Sequence, residues 1–311
     1  MKKIIISFAV LLLILCGLLF YRASSFFENK QYVVDAPIIP VTVDEQAVLS
    51  RFTKAIQIPT ISYDDRNHFD QSAFLAFQDY LKENFPLVHQ QAELAVINDY
   101  SLLYHLKGSD PSLQPALFMG HMDVVPVDEA TASQWEQAPF SGKVIDGTIW
   151  GRGTIDDKIS VVALMESMEM LLEQNIQPKR SIYYAFGHDE EAGGKEGARK
   201  IAYFLATKNV EFEFVLDEGG VVTQDMLPGV TEPVAVIGIA EKGFVNLRLT
   251  VNAPGGHSSQ PPEHTAAGIL AQAIVKVEAN PFATDMRFIQ DTFNHIGFAT
   301  DLATRLPMSN L

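Results

Sequence analysis

Short apolar stretches alternate with helical patterns between residues 44 and 240, and this alternation is what most constrains the fold. Apolar residues recur at helical spacing from residue 44 to the break at Pro59, around residues 74–81, and along residues 161–172. The apolar stretches between and after them predict strands at 102–106, 116–119, 181–186, 212–216 and 234–240. Such alternation predicts an α/β fold, and strands that are apolar throughout predict a sheet covered by helices on both faces.

The pattern changes after Gly243. Residues 244–251 alternate apolar and polar side chains, which predicts a half-exposed antiparallel strand, and a helix is predicted at about 264–279. We therefore expect one domain over residues 44–243 and the start of a smaller α+β domain over residues 244–311.

The first 24 residues differ from the rest of the chain. Lys2 and Lys3 precede an apolar run of 17 residues, 4–20, which is long for a signal peptide and short for a membrane span. We expect an uncleaved membrane anchor followed by a linker over residues 25–43. A cleaved signal peptide and a buried helix are the alternatives. Because the two lysines precede the apolar run, we expect the N-terminus in the cytoplasm and the remaining domains outside. The protein would then be anchored in the membrane or, if the N-terminal segment is cleaved, secreted.

Charge and cysteine content exclude several classes of partner. The formal net charge is −15, so the chain repels phosphate backbones and we expect no nucleic-acid partner. Cys16 is the single cysteine, which excludes a disulfide framework and a thiolate metal site.

Acidic residues and one histidine follow the predicted strands or open the helix at 161–172. In an open α/β sheet, ligands bind beyond the carboxyl ends of the strands. One such pair alone is more often a helix cap or solvated surface, but four together, each beside glycines, favour a site. The residues are His121 and Asp123 in FMGHMDVVPV, Asp156 and Asp157 in GRGTIDDK, Glu190 and Glu191 in HDEEAGG, and Asp217 and Glu218 in LDEGG.

One imidazole with several carboxylates indicates a divalent metal site. The set suits Zn²⁺, or Mn²⁺ or Co²⁺, and does not suit copper or an iron–sulfur cluster. Two ions ~3.5–4 Å apart that share a carboxylate form a hydrolytic clamp, and an uncoordinated carboxylate can then take a proton from water. A di-metal phosphatase is the weaker alternative, because no cationic phosphate clamp accompanies the motifs.

The motifs, in this order, resemble the di-zinc carboxypeptidase and aminoacylase family over roughly residues 45–300. The resemblance is strongest to the carboxypeptidase S branch, which includes N-acyl amino acid hydrolases and synthases. It implies a layered catalytic domain with a mixed sheet, a lid that dimerises, two Zn²⁺ ions with Co²⁺ or Mn²⁺ as substitutes, and hydrolysis of amide bonds next to a free carboxylate in short peptides or N-acyl amino acids. The motifs are MGHMDVVPV, WGRGTIDDK, HDEEAGG, LDEGG and PGGHSSQPP.

The same resemblance implies a role for each residue at the strand ends. His121 would bind one zinc ion, with Asp123 holding its imidazole. Asp156 would bridge both ions and would be joined to the next residue by a cis peptide bond. Glu190 would be the general base and Glu191 a metal ligand.

The remaining roles concern the later motifs. Asp217 is the favoured further ligand and Glu218 the alternative. His257, in PGGHSSQPP, would stabilise the oxyanion, often in the site of a partner subunit. Relatives continue past this point and supply a late histidine ligand, so we expect the sequence to be truncated. A non-catalytic remnant that binds metal or ligand is therefore the alternative function. We expect a supporting role at most for His188, and surface or structural positions for His68, His89, His105, His264 and His295.

Overall fold

The computed structural model describes residues 2–25, 41–227 and 229–310. The chain divides into two compact units, Ile38–Gly219 and Met1–Pro37 with Gly220–Leu311. This division falls before the boundary predicted at residue 243. Most of the predicted linker, residues 26–40, lies outside the described residues.

The first unit contains the predicted alternation of helices and strands. Its helices are α2 (Glu45–Ile56), α3 (Gln71–Asn84), α4 (Pro86–Gln91), α5 (Lys158–Glu173) and α6 (Ala198–Thr207), numbered after α1 (Lys2–Ser25) of the other unit. Its strands are β1 (Glu93–Ile97), β2 (Ser101–Leu106), β3 (Ala116–His121), β4 (Lys143–Ile145), β5 (Thr148–Trp150), β6 (Ile182–Gly187) and β7 (Phe214–Leu216).

The helices α2 and α3 begin at aspartate caps. The side chain of Asp44 accepts a hydrogen bond from Ala47 N at 3.0 Å, and that of Asp70 accepts one from Ser72 N at 3.0 Å. Each bond satisfies an amide that has no partner within its helix. α2 ends before Pro59, as the sequence predicts.

The central sheet is mixed, with strand order β1-β2-β6-β3-β7. β1 and β2 form an antiparallel edge, whereas β6, β3 and β7 run parallel to one another. In the register of β3 and β6, His121 lies opposite Gly187. The carboxyl ends of the parallel strands therefore meet at one end of the sheet, where sequence reasoning expects the site.

Helices cover both faces of this sheet, which confirms the predicted layered α/β fold. On one face, α2–α5 pack against alternate strand residues such as Tyr104 and Phe186. On the other face, Ile201 and Leu205 of α6 pack against Leu103 and its neighbours. Burial of both faces explains why the central strands are apolar throughout.

β7 departs from the prediction of a fully covered strand. Phe214, Val215 and Leu216 are 46%, 53% and 51% exposed. The physical reason is position, because β7 is the edge of the sheet and, among the described residues, pairs with β3 only.

The second unit contains α1, the hairpin β8 (Val221–Thr223) and β9 (Val234–Val236), and the helices α7 (Ala266–Glu278), α8 (Arg287–Ile296) and α9 (Leu302–Met308). The helix predicted at 264–279 is thus present. The strand predicted at 244–251 is wrong, since these residues form no strand, and the strand predicted at 234–240 is limited to β9. Alternation selects a face for a strand but supplies no hydrogen-bonding partner, and residues 244–251 have none in the described part of this unit.

α1 corresponds to the apolar N-terminal run. Within the described ranges, Lys2–Ser24 is the one helical stretch long and apolar enough to cross a membrane. A signal sequence near an N-terminus satisfies the same criterion.

Candidate metal centre

The site is built where the parallel strands of the first unit end. His121 is the last residue of β3, and Glu190 begins a 3₁₀ turn just after β6. Asp217 and Glu218 follow β7 directly. The amino-acid sequence predicts this convergence, and the strand register produces it.

His121 is buried, with 2% of its surface exposed, and both ring nitrogens face acidic residues. Nδ1 lies 3.0 Å from the backbone oxygen of Asp123 and 3.4 Å from its Oδ1. Nε2 lies 2.9 Å from Asp156 Oδ1 and 3.8 Å from Glu190 Oε2. Nε2 is therefore the nitrogen directed at the acidic cluster, and Nδ1 is held by the Asp123 segment.

Asp123 is fully buried and does more than contact the imidazole. Its two carboxylate oxygens accept hydrogen bonds from the backbone amides of Glu190 and Glu191, each at 3.1 Å. One carboxylate thus connects the segment after β3 with the turn after β6. Sequence reasoning predicts the contact with His121 but not the bonds to this turn.

Asp156 and Asp157 lie immediately before α5 and are joined by a cis peptide bond. The Asp156 side chain is 66% exposed and reaches Nε2 of His121. Asp157 is buried, and its Oδ2 accepts a hydrogen bond from the backbone amide of His121 at 3.1 Å. Asp156 therefore directs its carboxylate at the site, whereas Asp157 holds the backbone of His121.

Gly153, which precedes Asp156 and Asp157, lets the backbone pack closely against Val124. Its φ is +87°, a conformation that favours glycine, and a Cβ atom would lie 2.8 Å from Val124 Cγ1. The second glycine of GRGTIDDK is therefore favoured for steric reasons.

Two overlapping groups of side chains have ligand atoms within 4.8 Å of one another. One comprises His121, Glu190 and Glu191, and the other comprises His121, Asp156 and Glu218. Asp217 belongs to neither group, although its Oδ1 accepts a hydrogen bond from the amide of Glu218 at 3.0 Å. The geometry therefore favours Glu218 over Asp217 as the residue directed at the cluster.

Burial and the proximity of like charges raise the pKa values of the glutamates in the cluster. Burial, with the charges of Asp156, Asp123 and Glu190, raises the pKa of Glu191 to about 7 despite the opposing effect of His121. Burial and neighbouring carboxylates also raise the pKa values of Glu190 and Glu218.

The pKa of the His121 imidazole is also raised. Burial acts to lower the pKa of His121, but the hydrogen bond to Asp123 and the surrounding carboxylates raise it to about 10. Without a metal ion the cluster therefore holds protons that a divalent cation would replace.

The donor set fits a divalent metal centre. It offers one buried imidazole nitrogen and several carboxylate oxygens, the combination that zinc, manganese and cobalt accept. Burial and mutual repulsion raise the pKa values of these carboxylates even with His121 beside them, and a divalent cation would offset both effects.

Two predicted histidines lie outside the cluster. His257 belongs to the other unit, is exposed, and has Nδ1 2.8 Å from Ser259 Oγ. His188 is buried, with Nδ1 2.7 Å from Ser101 Oγ and with Phe69, Phe74 and Tyr100 around its ring.

Several residues near the site were not predicted. Asp189 is buried, and its carboxylate binds Arg66 at 2.9 Å and accepts the amides of Glu196 and Gly197 at 2.9 and 2.7 Å. Thr60 and Ser62 are buried beside the β3 end. Thr60 and Ser62 follow Pro59, the proline after α2, where polar residues are typical of a loop. The sequence therefore gives no indication that these two residues are buried.

The fold and the acidic cluster together define an α/β protein of the metallopeptidase type. The sequence pattern described as Peptidase family M20/M25/M40 matches residues 117–303, more than half of the chain. The chain therefore belongs to this family, which confirms the resemblance noted from its motifs.

The relatives agree with the predicted branch. The chain is 44% identical over 295 residues to "Probable carboxypeptidase S-like 2" of Dictyostelium discoideum, covering 92% of this chain and 56% of that protein. It is 41% identical over 261 residues to "N-fatty-acyl-amino acid synthase/hydrolase PM20D1" of Homo sapiens, covering 81% and 51%. The chain thus spans about half of the length of these curated relatives.

Among solved structures, the chain is similar to the M20 family metallo-carboxypeptidase Sso-CP2 from Sulfolobus solfataricus. The TM-score is 0.46 and the identity 21%, over 58% of this chain and 38% of that one.

Proposed function

We propose that this chain carries the metal-dependent site of a hydrolase that cleaves amide bonds next to a free carboxylate. The observation that carries the proposal is the buried imidazole of His121, whose Nε2 faces carboxylates from separate segments at one end of the sheet. Family membership supports the same class of reaction.

Two Zn²⁺ ions are the proposed cofactors, with Co²⁺ or Mn²⁺ as substitutes. His121, Asp156, Glu191 and either Glu218 or Asp217 would hold them, with Asp156 shared. When bound, zinc would polarise the carbonyl of the scissile amide and activate water.

Glu190 is the proposed general base and acid. Its carboxylate is 54% exposed at the cluster, so water and substrate can reach it, and burial raises its pKa above the usual value, which favours its role in proton transfer. Glu190 would take a proton from the attacking water and deliver it to the nitrogen of the leaving amine. Asp123 would hold the Glu190 amide and the imidazole in place throughout.

The proposed substrates are short peptides and N-acyl amino acids. Support comes from the names of the relatives, a carboxypeptidase S-like protein and an N-fatty-acyl-amino acid synthase/hydrolase. We further propose that residues 44–243 form the catalytic domain, and that residues 244–311 belong to a lid that dimerises and presents His257 to the oxyanion.

Membrane attachment through α1 is also proposed, with the catalytic domain outside the cytoplasm. The length of α1 and the lysines before its apolar run support this orientation. The chain should stay with the membrane after alkaline carbonate washing. Recovery of a soluble chain that begins after residue 24 would instead indicate a cleaved signal peptide.

Glu190→Gln is the decisive test of the reaction. The variant should keep the metal content of the unmodified chain by mass spectrometry, because neighbouring ligands remain, and should hydrolyse an N-acyl amino acid ~10²–10⁴-fold more slowly. Glu196→Gln, at a glutamate that contacts Asn98 and Lys200 instead, is the matched control and should retain activity. Retention of a tenth of the activity by Glu190→Gln would remove Glu190 from the base role. Equal hydrolysis of a carboxamide substrate would refute the requirement for a free carboxylate.

A further inference from the structure

One short segment forms hydrogen bonds with three parts of the chain that carry candidate ligands: the residues after β3, the residues after β6 and the start of α5. It consists of residues 55–62, from the last turn of α2 to just beyond Pro59, and is called the brace here. None of its side chains belongs to either acidic group. Its contacts show how the ligand segments are held relative to one another.

The brace first binds the segment that follows β3. Val124 N donates to Thr60 O at 2.9 Å, and Ser62 N donates to Val124 O at 3.0 Å, so residues 60–62 run beside it like a short parallel strand. The hydroxyl of Thr60, fully buried, donates to Met122 O at 2.6 Å. These bonds lie on either side of Asp123 and hold the backbone that follows His121.

The brace next binds the segment that follows β6. The hydroxyl of Ser62, a residue only 4% exposed, donates to the backbone oxygen of His188 at 3.1 Å. His188 lies two residues before Glu190. Ser62 therefore binds the β3 segment through its amide and the β6 segment through its hydroxyl.

The third contact comes from the start of α5. The side-chain nitrogen of Lys158, which is fully buried, donates to Ala55 O at 3.0 Å and also to Ile58 O. These bonds satisfy carbonyl groups at the carboxyl end of α2, because the last carbonyl groups of a helix have no partners within it. Since Lys158 follows Asp156 and Asp157 directly, the brace also holds the segment with the exposed Asp156 carboxylate.

We propose that the brace sets the relative positions of the ligand segments, and that Ser62 is a positioning residue for the metal centre. The inference rests on the proposed function, since it assumes that the acidic cluster binds metal. A metal centre tolerates displacements of only ~0.5 Å in its ligands, so a fixed link between segments contributes directly to affinity. Asp123 provides a second link between the same two segments, so loss of the Ser62 hydroxyl should weaken the site without abolishing it.

The test is a Co²⁺ titration of the full chain in detergent, followed by the visible absorption of the bound ion. Ser62→Ala should weaken Co²⁺ binding by about 10-fold or more and change the absorption spectrum, as loss of a supporting hydrogen bond does at metal sites. Ser62→Thr keeps the hydroxyl and should restore both. Ser167→Ala is the matched control, because Ser167 also donates to a backbone oxygen, Ala163 O at 2.8 Å, but is exposed on α5.

The outcomes separate the two proposals. Unchanged affinity and spectrum in Ser62→Ala, beside an unmodified chain that binds Co²⁺, would overturn the role of the brace alone. Absence of Co²⁺ binding by the unmodified chain would overturn the metal centre and the brace with it. If circular dichroism shows that Ser62→Ala is unfolded, Thr60→Val tests the same segment through the bond to Met122 O. Thr60→Val should weaken binding by about 10-fold, with recovery in Thr60→Ser. Unchanged binding in Thr60→Val would then overturn the inference.

Discussion

Replacement of Asp123 by asparagine is the perturbation that tests most of the site at once. The Asp123 carboxylate is fully buried and accepts the amides of Glu190 and Glu191, each at 3.1 Å. Asparagine has almost the same shape but only one acceptor oxygen, so its NH₂ group must face one of the two amides. One partly buried donor then loses its acceptor, and the other exchanges a charged acceptor for a neutral one.

The expected loss of stability follows from these two bonds. A buried donor without a partner costs ~1–3 kcal/mol, and a hydrogen bond to a charged group contributes ~1.5–3 kcal/mol. Asp123→Asn should therefore lower the free energy of unfolding of the metal-free chain by about 3 kcal/mol. Removal of this support for His121 and the turn should also weaken metal binding by ~10–100-fold.

The loss of stability in Asp123→Asn should also depend on pH, in a direction set by the pKa of His121. Asp123 is the leading cause that raises the pKa of His121, to about 10, against the effect of burial. A raised pKa stabilises the folded, protonated form, so this contribution is fully present below the unfolded pKa of ~6.5 and is lost as pH rises through about 10. The difference between Asp123→Asn and the unmodified chain should therefore be larger at pH 6 than at pH 10.

Urea denaturation followed by circular dichroism, with metal removed by a chelator, measures the loss of stability, and a Co²⁺ titration measures the affinity. Asp128→Asn is the matched control, because Asp128 also accepts a backbone amide, Ala130 N at 2.9 Å, but is exposed. It should change stability by less than ~0.5 kcal/mol. If Asp123→Asn unfolds within about 1 kcal/mol of the unmodified chain and binds Co²⁺ equally well, the reasoning is refuted.

Two further predictions concern metal uptake. Binding should release protons, because the pKa values of His121 and Glu191 are raised to about 10 and about 7, so the apparent affinity should increase with pH. Calorimetry in two buffers of different ionisation enthalpy checks this, and a buffer-independent heat at pH 7 would contradict it. Glu218→Gln should reduce bound metal more than Asp217→Asn, because the side chain of Glu218 joins His121 and Asp156 within 4.8 Å. Metal analysis that gives the reverse order would make Asp217 the ligand.

The sequence is sufficient to predict that the candidate residues converge at one end of the sheet, but not the hydrogen bonds between them. His121 and Glu190 could be located because each follows an apolar stretch, and the ends of parallel strands converge. The bonds from Asp123 to Glu190 and Glu191 depend on the register of β3 and β6, which places His121 opposite Gly187. A single sequence carries no information on register between strands whose paired residues, such as His121 and Gly187, are 66 residues apart in the chain, so those bonds are not predictable from it.

The brace and the failed strand illustrate the same limit. Thr60 and Ser62 follow a proline that ends α2, and nothing in the sequence indicates that their hydroxyls meet residues 122 and 188. Residues 244–251 have the alternation of a strand, yet alternation specifies only which side chains share a face. Whether a strand forms depends on a neighbour that offers hydrogen bonds, which is a property of the folded chain.

Metal binding and folding should be linked in this unit. The candidate ligands come from separate parts of the chain, with His121 and Asp156 separated by 35 residues, and the folded sheet brings them together. The unfolded chain offers no such cluster, so a bound ion favours the folded state by RT ln(1 + [metal]/Kd), or ~4 kcal/mol at 1,000 times the Kd. The linkage is reciprocal, because loosening of the sheet end must weaken binding and loss of the ion must destabilise the sheet end. A cluster of surface acids with no such role would gain little stability from a divalent ion, so metal-dependent unfolding distinguishes a built metal centre from chance acidity.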